Sequence, residues 1–276
     1  MSATVVSTRP STAAAARTAF RALLARDLNV LRKNVVEFLL RTVMQPLLFV
    51  FVFTYVFPKI GLGVGGARPA EGNFSTLLVP GVVAIACIFQ GVQAVALPLV
   101  QEFGFSREIE DRVMAPLPVA GVAAEKILAG ALQGLIAAAV VFPLAAIVPA
   151  TPVHLHIRWF ELLTLLPLAA LTGSTLGLVM GTFVEPRRVP LLFGVVVIPI
   201  TFLGATYYPW AELTPIPWLK TLVLLNPLVY MSEAMRISLT PQLPHMATWA
   251  VYLGLAGFTI GLSYIGIRGF RSRVLS

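Results

Sequence analysis

The sequence predicts an all-α integral membrane protein with six transmembrane helices, an N-terminal amphipathic helix at the membrane interface, and short outer helices between the fifth and sixth spans. Three observations carry that prediction. The 276 residues are 58% hydrophobic and only 12% charged, with a mean hydropathy of +0.87, whereas soluble domains are about 45–50% apolar and 25% charged. Apolar runs long enough to cross a bilayer, about 20 residues each, recur along almost the whole chain and leave little sequence for a soluble domain. The basic residues behind the net charge of +8 flank those runs instead of forming one stripe with interleaved aromatics. That pattern is topological and argues against nucleic acid as a partner.

Residues 1–16 are rich in Ser, Thr and Ala with no apolar face to bury, and read as a disordered tail ahead of one membrane-embedded domain, 17–276. The first 33 residues hold five arginines, a lysine and an aspartate, too long and too charged a lead for a signal peptide, so this segment reads as retained. From Arg17 onward Phe20, Leu23, Leu24, Leu28 and Leu31 recur at helical spacing, with Arg17, Arg21, Arg26 and Lys33 as the basic complement. Such a helix suits the headgroup layer and contact with membrane lipids. The spans follow near Phe38–Phe57, Leu77–Val100, Lys126–Val148, Phe160–Val184, Pro190–Ala205 and Thr248–Ile267. Between the last two, Trp218–Met231 is too short and too interrupted by Pro227 to span, and reads as re-entrant or interfacial.

Six spans put both termini on one side, and the excess of Lys and Arg makes that side the cytoplasm. The inner segments hold Arg9 to Lys33, then Arg107, Arg112 and Lys126, then Arg187 and Arg188, then Arg268, Arg271 and Arg273; the outer ones hold only Lys59, Arg68, Arg158, Lys220 and Arg236. Pro46, Pro80, Pro143, Pro167 and Pro199 fall inside spans and predict kinks. Gly173, Gly177 and Gly181 share one face of the fourth span, and Gly257 with Gly261 repeats the spacing in the sixth. Small residues at that interval let helices approach, within the subunit or against a second one.

Residues 101–125 form the largest inner loop and hold the densest polar signal: Glu102, Arg107, Glu108, Glu110, Asp111 and Arg112 before the break at Ala115-Pro116-Leu117-Pro118. Arg107 with Asp111 and Glu108 with Arg112 stand four apart, so a solvated, self-paired helix is one reading and a docking element the other. Arg41, with Gln45 one turn on, is the chief charge inside a span; it either snorkels to headgroups or serves a pathway or subunit contact. Glu233 stands three residues from Arg236, which favours local pairing over proton coupling. His154 and His156 lack the Cys or carboxylate neighbours of a metal site, and the single cysteine, Cys87, sits in an apolar run. Trp159, Tyr207, Tyr208, Trp210, Trp218 and Trp249 fall near the outer boundary, as an aromatic belt does.

The run from Ser106 to Pro118 with Glu125-Lys126 resembles the cytosolic loop of type-2 ATP-binding cassette (ABC) transporter permeases, departing at Asp111-Arg112-Val113 from the Gly-Thr-like pair of many relatives. A second stretch is similar to the outer region of drug-resistance, nodulation-factor and polysaccharide-export permeases of that family. It comprises Gly204 through Tyr208-Pro209, then Pro217-Trp218-Leu219, Asn226-Pro227-Leu228 and Glu233-Ala234-Met235-Arg236. The resemblance implies a half-transporter: two six-span subunits, identical or not, around a central pathway, with ABC ATPase subunits beneath. It makes Arg107, Glu108, Glu110, Asp111, Arg112 and Pro116 the cytosolic coupling helix that meets the ATPase. It also makes Tyr207, Tyr208, Pro209, Trp218, Asn226, Pro227, Glu233 and Arg236 part of a re-entrant outer cap, in a bacterial-type plasma (inner) membrane. No G-x-x-x-x-G-K-[ST] loop occurs in the chain, so ATP and Mg are expected on the partner ATPase and no catalytic, cofactor or metal site here.

The expected activity is export of a hydrophobic or amphipathic cargo such as a drug, lipid or glycolipid, a multidrug efflux pump being one form of it. A polysaccharide exporter is the alternative. An ion-coupled secondary transporter would call for midplane carboxylates or internal repeats, and a membrane enzyme for clustered Asp, Glu, His or Cys at one depth; the acidic run at 102–111 is the one candidate for the latter, and its mixed charge suits docking better.

Overall fold

The computed structural model describes residues 12–56, 59–60, 73–103, 117–149, 152–184 and 198–275. Among these every regular element is helical. In chain order they are α1 (Thr12–Lys33), α2 (Val35–Val50) with a π-helical extension (Phe51–Val56), α3 (Asn73–Gln101), α4 (Val119–Ile147), α5 (Trp159–Phe183), α6 (Ile198–Phe202), α7 (Pro217–Leu222), α8 (Pro227–Leu239) and α9 (Thr248–Leu275). Five stretches are long and apolar enough to cross a membrane: Val35–Val56, Ser75–Gln101, Val119–Ile147, Trp159–Phe183 and Thr248–Val274. Of the span expected at 190–205, residues 190–197 lie outside the described residues, and the five-residue α6 occupies part of the remainder.

The local chemistry explains the boundaries. α1 starts at Thr12, inside the segment expected to be a disordered tail, because Ala13 to Ala16 are strong helix formers. Its expected apolar positions, Phe20, Leu23, Leu24, Leu28 and Leu31, are the half-buried face, while Arg17, Arg21 and Arg26 are exposed. Pro118, extended at φ −61° and ψ 146°, starts α4. Asn226 starts α8: its side chain accepts from the Leu228 amide at 2.9 Å, with Pro227 at the first helical position. α5 ends at Phe183, where the Arg273 guanidinium donates to the carbonyls of Gly181, Thr182 and Val184 at 3.3, 2.8 and 3.1 Å, satisfying groups the helix end leaves orphaned.

α3 is the axis of the bundle, with α4, α5 and α8 packed around it. Its contact with α5 runs along the glycine face. A Cβ on Gly173 would lie 3.2 Å from Ile88 Cα, one on Gly177 2.9 Å from Val92 Cα, and one on Gly181 3.0 Å from Ala96 Cα. Steps of four on one helix meet steps of four on the other, so the backbones themselves touch. The second glycine pair behaves differently. A Cβ on Gly257 or Gly261 of α9 would meet nothing within 4 Å, so the close approach expected there is not made among the described residues of this subunit. α9 instead carries exposed Leu253, Ile260 and Tyr264 along its length.

Candidate functional site

Two polar constructions interrupt the apolar bundle, one at each end. At the α1 end a groove of about 510 Å³ opens between α1, α2, α3 and α4, with Arg26, Asp27, Glu37, Arg41, Gln93 and Gln101 in its wall. Helical spacing produces it: 90, 93, 97 and 101 of α3 fall on or beside one face, and three of the four are glutamines in an otherwise apolar span. Gln90 is buried and ties three helices together. It accepts from the Thr42 hydroxyl of α2 at 3.0 Å and donates to the Gln133 carbonyl oxygen of α4 at 3.3 Å.

The floor of the groove is an ion cluster. The Lys126 ammonium of α4, 4% exposed, donates to Glu102 at the end of α3 at 2.8 Å and to Asp27 of α1 at 3.4 Å. Charges so removed from water persist only when paired, so this contact ties α1 to the end of α3 and the first turns of α4. Arg41 pairs with Glu37 one turn back at 2.9 Å, both largely exposed on the wall of the same groove. Gln45 lies one turn further along α2. The loop residues Arg107, Glu108, Glu110, Asp111, Arg112 and Pro116 lie outside the described residues.

At the opposite end, α8 is buried along its whole length and carries the Glu233–Arg236 pair, both at 0% exposure. Glu233 Oε1 accepts from Arg236 Nη1 at 2.5 Å and from the Trp210 amide at 2.9 Å, and Oε2 accepts from the Met246 amide at 2.7 Å. Arg236 Nη2 donates to the carbonyls of Ala205 at 3.0 Å and Tyr208 at 3.5 Å. Burial pulls the Arg236 guanidinium below its ordinary range, and the charge and hydrogen bond of Glu233 oppose that shift. Ala205 adopts the left-handed region at φ 51°, which turns its carbonyl toward Arg236. The following carbonyl, of Thr206, would stand 2.1 Å from a Cβ on Gly81, so α3 needs glycine there for the 204–208 turn to seat.

The other expected cap residues join this construction to different degrees. Asn226 donates to the Ile200 carbonyl at 2.7 Å, tying α8 to α6. Tyr207 leans on Phe49 of α2, ring centroids 5.0 Å apart, and burial raises its phenol above the ordinary value while a hydrogen bond with Thr206 lowers it less. Pro209 opens a 3-10 turn at Trp210–Leu213, and Pro227 opens α8. Trp218 is exposed, as are Trp159 and Trp249. His154 and His156 use their backbone amides to bond Thr76 and Leu239. Among the described residues no three His, Cys, Asp or Glu side chains converge as metal ligands.

The described residues thus form a helical bundle with a polar groove at one end and a buried ion pair at the other. Residues 18–240 match the ABC-2 type transporter family. The chain belongs to that family. It is similar to the protein called inner membrane transport permease YadH from Escherichia coli strain K12, 28% identical over 200 residues, covering 71% of this chain and 74% of that one. The same figures hold for the proteins of that name from Escherichia coli O157:H7 and Shigella flexneri. The chain is therefore the permease subunit of an ABC-2 type transporter, a non-catalytic transport subunit. ABC-2 permeases work with an ATPase partner, to which ATP hydrolysis belongs.

Within this ABC-2 permease the residues that sequence reasoning overlooked are Gln90, Gln93, Gln101 and Gln133, the Asp27–Lys126–Glu102 cluster, Gly81 and Arg273. The glutamine spacing was the signal for the first group. Opposite charges bracketing the loop, Glu102 before it and Lys126 after it, were the signal for the second.

Proposed function

We propose that this chain is one half of an ATP-driven exporter in a bacterial-type inner membrane, working with a second permease subunit and with ATPase subunits in trans. The family match across residues 18–240 carries the reading, because it includes the whole segment from the interfacial helix through the loop to the cap. The name of the similar permease from Escherichia coli supports the membrane assignment. Residues 190–205 complete a six-span topology with both termini in the cytoplasm, in keeping with the Lys and Arg bias. The 104–116 loop then faces the cytoplasm, and Arg107, Glu108, Glu110, Asp111, Arg112 and Pro116 meet the ATPase. The ion cluster at Lys126 lies at the root of that loop, so a push on the loop acts on α1, α3 and α4 together.

The cargo is hydrophobic or amphipathic. An apolar bundle with a polar groove of about 510 Å³ suits a molecule with a distinct head and an oily remainder. The test is co-purification of the candidate ATPase with this chain in lipid nanodiscs, comparing wild type with Glu108→Arg and Asp111→Arg. Binding and permease-dependent ATPase activity in the wild type, reduced about tenfold or more by the reversals, supports the reading. An ATPase that binds neither wild type nor variants overturns it.

A further inference from the structure

The groove at the α1 end has a charge inventory of its own. Among the described residues its wall holds three cations, Arg26, Arg41 and Lys126, and three anions, Asp27, Glu37 and Glu102, whose formal charges sum to zero. Lys126 is already engaged by Glu102 and Asp27, and Arg41 by Glu37. The polar capacity left facing the space is amide. Gln93 and Gln101 of α3 and Asn34 between α1 and α2 line the groove, and the side chains of all three make no hydrogen bond among the described residues.

An amide offers a donor and an acceptor side by side. That pattern matches neighbouring hydroxyls, each of which also donates and accepts. An anionic headgroup would lose hydration against described lining residues of no net charge, where Lys126 and Arg41 are already engaged by carboxylates. Beside the groove, Val36, Leu40, Met44 and Leu48 stand four apart and exposed on α2, an apolar stripe leading away from Glu37 and Arg41 toward the other end of the bundle. α1, with its apolar face inward and arginines outward, sets the mouth of the groove at headgroup depth.

We infer that the groove is a binding site for a membrane amphiphile with a neutral, hydroxyl-rich headgroup, its head between Gln93, Gln101 and Asn34 and its chains along the α2 stripe. The inference rests on the membrane reading of α1 and α2 and narrows the cargo class proposed above. The test uses the full chain in phosphatidylcholine nanodiscs doped equally with monogalactosyl diacylglycerol, phosphatidylglycerol and plain diacylglycerol of the same acyl chains. Native mass spectrometry then reads which lipid stays on the released protein.

The expected result is retention of the galactolipid about tenfold above both others, the scale of two net hydrogen bonds. Gln93→Leu and Gln101→Leu together should bring the three lipids to parity. Gln101 is exposed, so Gln101→Leu alone also reads the site in a fully folded chain and should lower the preference about threefold. Equal retention of phosphatidylglycerol or diacylglycerol by the wild type, or a preference that survives both substitutions, overturns the proposal. The assay contains no ATPase and follows no flux, so its failure leaves the exporter reading standing, and failure of ATPase binding leaves this result standing.

Discussion

Replacing Glu233 with glutamine removes one charge from an ion pair sealed at 0% exposure. The carboxylate has three donors to satisfy: Arg236 Nη1 and the Trp210 amide at Oε1, and the Met246 amide at Oε2. Glutamine keeps one acceptor oxygen. Whichever way the new amide is turned, its NH2 faces an N–H, and Arg236 is left as an uncompensated buried cation. Breaking a buried pair from one side costs about 3–5 kcal/mol. For domains of about 150–250 residues each kcal/mol moves the midpoint by about 2–4 °C, so the thermal midpoint should fall by roughly 6–20 °C. The full chain in nanodiscs, heated while its tryptophan fluorescence is followed, reads the shift, since Trp210 sits on the carboxylate. Glu233→Met combined with Arg236→Met removes the uncompensated charge but strands the Trp210 and Met246 amides and the Ala205 and Tyr208 carbonyls, so it should recover only part of the loss. A single variant melting within about 2 °C of wild type, or a double variant worse than either single, would refute the reasoning.

Two further outcomes rest on the packing. Gly177→Leu should destabilise the chain by about 1–3 kcal/mol or more, because the space is closed by the Val92 backbone, which cannot rotate away; Gly257→Leu, facing open space, should cost the isolated subunit nothing measurable by the same melt, and the reverse ranking would sink the packing argument. Lys126→Met removes the ammonium that bonds both Glu102 and Asp27, at a cost of about 3–5 kcal/mol. Hydrogen exchange across residues 12–33 should then accelerate as α1 loses its anchor, and unchanged protection of α1 would count against the cluster as that anchor.

Much of the architecture was legible because bilayer-length apolar runs are a strong signal, yet charge misled the boundaries in two places. The third span reads from Lys126 because Glu125 and Lys126 interrupt the apolar window, while α4 begins seven residues earlier at Val119. Lys126 is inside the bundle because Glu102 and Asp27 neutralise it there, a partnership spread over 99 residues that no local window contains. The sixth span reads as ending near Ile267, before Arg268, yet α9 runs to Leu275 and Arg273 folds back onto the carbonyls that end α5. At the cap, the spacing of Glu233 and Arg236 foretold their pairing. The Trp210 and Met246 amides that complete the site come from turns whose approach depends on the whole fold. The glycine faces show the same limit: 173, 177, 181 and 257, 261 look alike in sequence, and only the neighbouring helix distinguishes contact from open space.

The seam between α3 and α5 has a mechanical consequence. Ordinary helix pairs are cushioned by a layer of side chains that can turn through their rotamers and let one helix slide on the other. Backbones in direct contact have no such slack, and a slip of less than one turn, about 5.4 Å, would drive Cα atoms of one helix into the other. The two helices therefore act as one strut about 40 Å long, from 29 residues of α3 at 1.5 Å each. The strut joins the Glu102 end of α3 to the turn seated on Gly81. Slack lies instead in the two least covered spans among the described residues, Val35–Val56 and Thr248–Val274, so that the inner seam bears load while the outer helices can bend.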